Sequence, residues 1–78
     1  MNFPRKREAA PVEETAAAFY DYTRRLLQDT IRLRDMGKLR RCAIRIDSQR
    51  FQALSDSRQE ELLELYSGAM VACGSLSP

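Results

Sequence analysis

Seventy-eight residues make at most one small domain, and a core of that size is by itself marginally stabilising. Two cysteines 31 positions apart, no histidine, and no apolar run near the roughly 20 residues that span a bilayer argue against a disulfide scaffold, a metal site and a transmembrane protein. The net charge of +2 hides three blocks, −1 over residues 1–23, +6 over 24–50 and −3 over 51–78, and eleven of the thirteen cations are arginines.

"MNFPRKREAA", residues 1–10, reads as a flexible N-terminal tail, short, polar and interrupted by Pro4. No apolar stretch follows its basic start, as it would in a secretory leader, so reduced thiols and a cytoplasmic location are expected.

From Pro11 to Gly37 the pattern is helical. Pro11 suits a first turn, where its missing donor costs nothing. Glu13 and Glu14 suit the positive end of the helix dipole, and Ala16 to Ala18 have high helix propensity. Phe19, Thr23, Leu26, Thr30 and Leu33 recur at spacings of four, three, four and three, with Tyr20, Leu27 and Ile31 widening the stripe. Asp21/Arg25, Arg25/Asp29 and Arg32/Asp35 are spaced to pair on the polar face. Gly37 can adopt the left-handed conformation that ends a helix. The expected helix runs from about 12 to 36, roughly 37 Å.

"GKLRRCAIRID", residues 37–47, fits two periods. With period two, Cys42, Ile44 and Ile46 face one way and Arg41, Ala43 and Arg45 the other. With helical period, Leu39, Cys42, Ala43 and Ile46 form the stripe. "SQRFQAL" after it reads as a short helix with Phe51 and Leu54 on one side. The strand version, followed by that helix and a closing one, resembles the ribbon-helix-helix family of DNA-binding regulators. That resemblance implies a dimer with a strand at about 40–46 from each chain, Arg41, Ala43 and Arg45 entering the major groove, and Cys42, Ile44 and Ile46 facing the core. It covers about 35 residues and leaves the long first helix outside the family pattern. The helical reading needs less, and a helix or an irregular connection is preferred over the strand. In it, Arg40, Arg41 and Arg45 face solvent or meet acids such as Glu60, Glu61 and Glu64.

"SDSRQEELLELYSGAMVACG" forms the last helix, expected from about 58 to 73. Ser57 and Glu60 have capping-box spacing. Leu62, Leu65, Tyr66, Ala69, Met70 and Cys73 make the apolar face, Ser67-Gly68 permits a close approach, and Gly74 is the stop. Residues 75–78 read as a tail. The fold class is thus mainly α, a small helical hairpin or three-helix arrangement within a single domain over residues 11–74.

Chemistry is poorly provided for. There is no histidine base, the serines lie in caps and tails, and three glycines at 37, 68 and 74 form no phosphate loop. Arginines beside Cys42 could lower its thiol pKa, but a small buried cysteine is the more ordinary reading. Tyr20 and Tyr22 around Asp21 read as packing groups with wet hydroxyls. No enzyme activity, cofactor or metal is expected. A last helix of roughly 22 Å would leave part of a 37 Å stripe uncovered. That mismatch points to Phe19, Tyr20, Leu26, Leu27 and Leu33 as apolar anchors for a partner protein, with Arg40, Arg41 and Arg45 as the basic contacts. The expected function is a small non-enzymatic regulator: a chaperone, inhibitor or adaptor acting through helices, with a homodimer as one form. The alternative is a DNA-binding transcriptional regulator using the arginine-rich 38–50 segment. A membrane-surface role is disfavoured because the polar face of the first helix carries both signs.

Overall fold

Thr15 opens the first helix. Its hydroxyl accepts the Ala18 N–H at 3.0 Å, and the alanines that follow propagate the turn. The computed structural model describes residues 14–74. The tails expected at 1–10 and 75–78, and Pro11 as a helix start, lie outside the described residues. Among the described residues four helices follow in order: α1 Ala16–Leu33, α2 Met36–Ile46, α3 Gln49–Gln52 and α4 Asp56–Ala72. No strand occurs among the described residues. The strand at about 40–46, and with it the ribbon-helix-helix likeness, is therefore overturned. Leu39 and Cys42 are buried in α2, as helical spacing requires, while Ile44 points outward.

Two boundaries differ from those expected, each because a second cap was available. Asp35, not Gly37, makes the α1–α2 corner. Its carboxylate accepts the N–H groups of Gly37 and Lys38 at 2.9 and 3.2 Å and so starts α2 there. α1 must close three residues before Gly37, with Arg34 in the left-handed region at φ 54° and its N–H on the Thr30 carbonyl at 2.7 Å. Likewise Ser55, rather than Ser57, caps α4, accepting from the Arg58 N–H at 3.4 Å. The Gln59 amide supports this earlier start by donating to the carbonyls of Leu54 at 2.9 Å and Gln52 at 3.1 Å.

Arg34 is exposed, and a side chain in that conformation costs about 1 kcal/mol that glycine does not incur. Arg34→Gly is expected to raise stability by about 0.5–1 kcal/mol, read as a melting-point gain of several degrees. An unchanged or lower melting point would mean that the corner is not strained.

A shorter α1 and a longer α4 remove the expected mismatch. At ~1.5 Å per residue, α1 is roughly 27 Å long and α4 roughly 26 Å. α4 runs in the same direction as α1, joined at Tyr20–Glu61 near one end and at Ile31–Gly68 near the other, where a Cβ on Gly68 would sit 3.6 Å from the Ile31 side chain. α2 runs the opposite way, with Cys42 Sγ 3.6 Å from Thr30 Oγ1 and Arg45 on Thr23. Phe19, Leu26, Leu27, Leu39, Cys42, Phe51, Leu54, Leu62 and Ala69 form the core between them. Three of the five expected anchors, Phe19, Leu26 and Leu27, thus serve the chain's own interior, with no more than 6% of their surface exposed. Around these three the flank expected to await a partner is covered by α2 and α4, while Leu33 stays half exposed.

Candidate protein-binding face

Apolar surface remains where α1 meets α2, and Leu63 and Val71 are exposed on α4. On the α2 side of α1, Tyr22 and Leu26 stand four residues apart. Across the seam α2 offers Arg41, Ile44 and Arg45. These five side chains line an open groove of about 220 Å³. Leu26 forms its buried floor, while Ile44 is 72% exposed and Tyr22 48% exposed on opposite walls. Leu33, seven residues beyond Leu26 on the same stripe, is also half exposed and extends the apolar wall along α1. An isoleucine at that exposure loses most of the transfer energy its burial would supply, about 1.5–3 kcal/mol.

Arg45 is the most heavily engaged cation. Its Nε donates to Thr23 Oγ1 at 2.8 Å and its Nη2 to Glu14 Oε2 at 2.9 Å. Its guanidinium lies 4.5 Å from the Phe19 ring centroid and 4.6 Å from that of Tyr22. It therefore fixes the end of the groove rather than waiting for a ligand. The acids expected to meet it, Glu60, Glu61 and Glu64, do not; Glu14 does, and Arg50 reaches the same carboxylate at 3.2 Å. Arg40 and Arg41 are exposed, and neither has an ion pair among the described residues. On α1, Arg25 is held by Asp21 at 3.0 Å and Arg32 by Asp29 at 2.9 Å. The remaining basic surface beside the groove therefore belongs to α2.

Tyr20, the fifth expected anchor, is on the other flank. Its hydroxyl donates to Glu61, which also meets Arg24 Nε at 3.3 Å, and Arg58 stacks over its ring at 4.5 Å. The bond to Glu61, followed by burial and the Glu61 charge, raises the phenol above its ordinary pKa. Unfolded Tyr20 would ionise near pH 10 while the folded side chain keeps its proton. This contribution is complete below pH 10 and is lost as pH rises through the folded pKa, so stability is expected to fall in that window. A spectrophotometric titration should show the highest-titrating phenol missing in Tyr20→Phe. If the variant keeps it, the Glu61 bond is not made in solution.

Cys42 is fully buried, and burial pushes its thiol up, partly offset by Thr30 and Arg45. It packs in the core, with its sulfur 3.6 Å from Thr30 Oγ1. Among the described residues no group of three or more His, Cys, Asp or Glu gathers as metal ligands, and no helix is long and apolar enough to cross a membrane.

Of the sequence-derived candidates, then, Leu26, Arg41 and Arg45 meet at the groove. Leu33 and Arg40 lie exposed, Tyr20 joins the α1–α4 seam, and Phe19 and Leu27 are interior. Two groove residues, Tyr22 and Ile44, lie outside the expected contacts. Ile44 carried a readable signal, since it falls outside the Leu39/Cys42/Ala43/Ile46 stripe and so sits on the wet side of its helix. No family model matches the chain, and neither curated proteins nor solved structures give a match.

Proposed function

We propose that the protein acts without catalysis, as a small regulatory or adaptor protein that binds a partner protein across the α1/α2 groove. Ile44 carries this reading: a large aliphatic side chain, 72% exposed, faces a half-exposed tyrosine over a buried leucine floor. Exposed apolar surface rimmed by charge is the usual mark of an interface, with the aromatic and aliphatic groups supplying affinity and the arginines orientation and on-rate. A reducing, cytoplasmic compartment fits Cys42 and Cys73, which are both free thiols.

A photo-crosslinking side chain at position 44, compared with one at the exposed Gln28 on another face of α1, tests the reading in the source cell. A protein adduct at 44 that is absent at 28 is expected. Equal adducts at both positions, or none at 44, would overturn it.

The second reading, a DNA-binding regulator, has its own support in α2, where Lys38, Arg40, Arg41 and Arg45 are accompanied by no acid between Met36 and Ile46. Against it, the Arg45 charge is already matched by Glu14, and an exposed isoleucine stands among the remaining cations. DNA binding would weaken steeply with salt, through counterion release at each neutralised phosphate. A gel shift without binding at low salt removes that reading.

A further inference from the structure

We infer that the occupant of the Tyr22–Ile44 groove is an acidic amphipathic helix of another protein, lying along α1 and α2 as an added member of the bundle. This rests on the protein-binding reading of that face and names the chemistry of its partner.

The shape of the groove asks for a helix. Both walls are helical, so their backbone donors and acceptors are used internally and a strand would find no ladder to join. An incoming helix satisfies its own backbone and needs only side-chain contacts. Tyr22 and Ile44 line the groove over the Leu26 floor, and Leu33, seven residues on from Leu26, continues the apolar stripe of α1 beyond it. Gly37, seven residues before Ile44 on the same stripe, leaves that wall low at its far end. A Cβ built there would meet only Asp35 within 4 Å. Helices added to such a groove pack as in small bundles, with their apolar stripe inward.

The charge asks for acid. Arg40 and Arg41 lie on the α2 side, exposed and without an ion pair among the described residues, while the nearby α1 cations Arg25 and Arg32 already hold Asp21 and Asp29. A basic helix laid here would add repulsion to α2. A neutral one would leave two arginines partly desolvated without compensation.

The chain already uses this scheme on its other flank. α4 carries Asp56, Glu60, Glu61 and Glu64 against the single Arg58. It docks on α1 by burying Leu62 and Ala69, and it places Glu61 on a tyrosine hydroxyl and an arginine, Tyr20 and Arg24. The groove offers the same pair of groups, Tyr22 and Arg41, around an apolar centre. A second copy of the chain could bring Glu60, Leu63, Glu64 and Val71 from the outer face of α4, so the test includes that outcome.

The test is selection from a displayed library of amphipathic helices with a fixed leucine stripe and randomised flanking positions. The target is the full chain, and each enriched helix is counter-screened on Ile44→Arg and on Arg40→Glu/Arg41→Glu. Circular dichroism first verifies that both variants keep the wild-type melting point. Enriched helices are expected to carry net negative charge and to bind each variant about tenfold or more weakly. Enrichment of neutral or basic helices that still require Ile44 would overturn the acidic occupant and leave the protein-binding face intact. Failure to enrich, or enrichment indifferent to Ile44→Arg, would overturn both. Light scattering covers the remaining case. Concentration-dependent self-association that is abolished by Ile44→Arg and by Glu64→Arg assigns the groove to a second copy and overturns a foreign helix.

Discussion

Leu27→Ala is expected to cost about 2–5 kcal/mol, whereas Ile44→Arg should leave the unfolding curve nearly in place. Leu27 has no exposed surface and sits where α1 meets its neighbours, so truncation removes its transfer energy and leaves a cavity the helices cannot fully close. Domains of this size hold roughly 0.05–0.15 kcal/mol per residue, so one such loss removes much of the margin. Ile44 contributes little to the folded chain because most of its surface is already in water. Urea denaturation of the two variants checks the assignment. The midpoint should drop sharply for Leu27→Ala and move little for Ile44→Arg, with the slope unchanged in both. The reverse order would mean that the greasy flank around Leu27 belongs to an interface after all, and that Ile44 is a core residue. The comparison separates stability from binding at two positions that a simple hydrophobicity reading would treat alike.

Periodicity made the helices legible, and rivalry between caps blurred their ends. Phe19, Thr23, Leu26 and Thr30 at spacings of four and three leave little alternative to a helix, and Leu62, Tyr66, Ala69 and Cys73 do the same for α4. The corner at 34–36 was harder because Asp35 and Gly37 are both good punctuation. Only the fold decides between starting the next helix and ending the last one. The two-residue shift from Ser57 to Ser55 has the same character, since it depends on a Gln59 side chain folding back onto the α3–α4 turn. Those small shifts changed the functional reading most. Shortening α1 and lengthening α4 turned most of the expected excess of apolar flank into a covered core. The groove was half legible. Leu26, Arg41 and Arg45 could be picked out by type, but their convergence depends on α2 folding back antiparallel to α1. The partnership of Arg45 with Glu14 spans 31 residues, and no local pattern encodes it.

Arg45→Ala is expected to destabilise the chain by about 2–3 kcal/mol, well beyond what an arginine on a solvated face would cost. The side chain is only 23% exposed and Glu14 only 24%, so water screens their bond at 2.9 Å less than it screens a surface pair. Removing the guanidinium also takes a donor from the buried Thr23 hydroxyl and a cation from above two aromatic rings. Arg45→Met divides these effects. It keeps a flexible apolar stem over Phe19 and Tyr22 but reaches neither Thr23 nor Glu14, and should recover part of the loss. A double-mutant cycle of Arg45→Met with Glu14→Gln then isolates the ion pair, with an expected coupling of about 1–2 kcal/mol. The same cycle with Arg50→Met should give a coupling near zero. Arg50 meets the same carboxylate, but its own side chain is 53% exposed. Equal couplings for the two arginines would show that Glu14 is held by general attraction. A large coupling for Arg45 alone makes Glu14 the anchor that ties the start of α1 to the end of α2 and keeps Tyr22 upright on its wall of the groove.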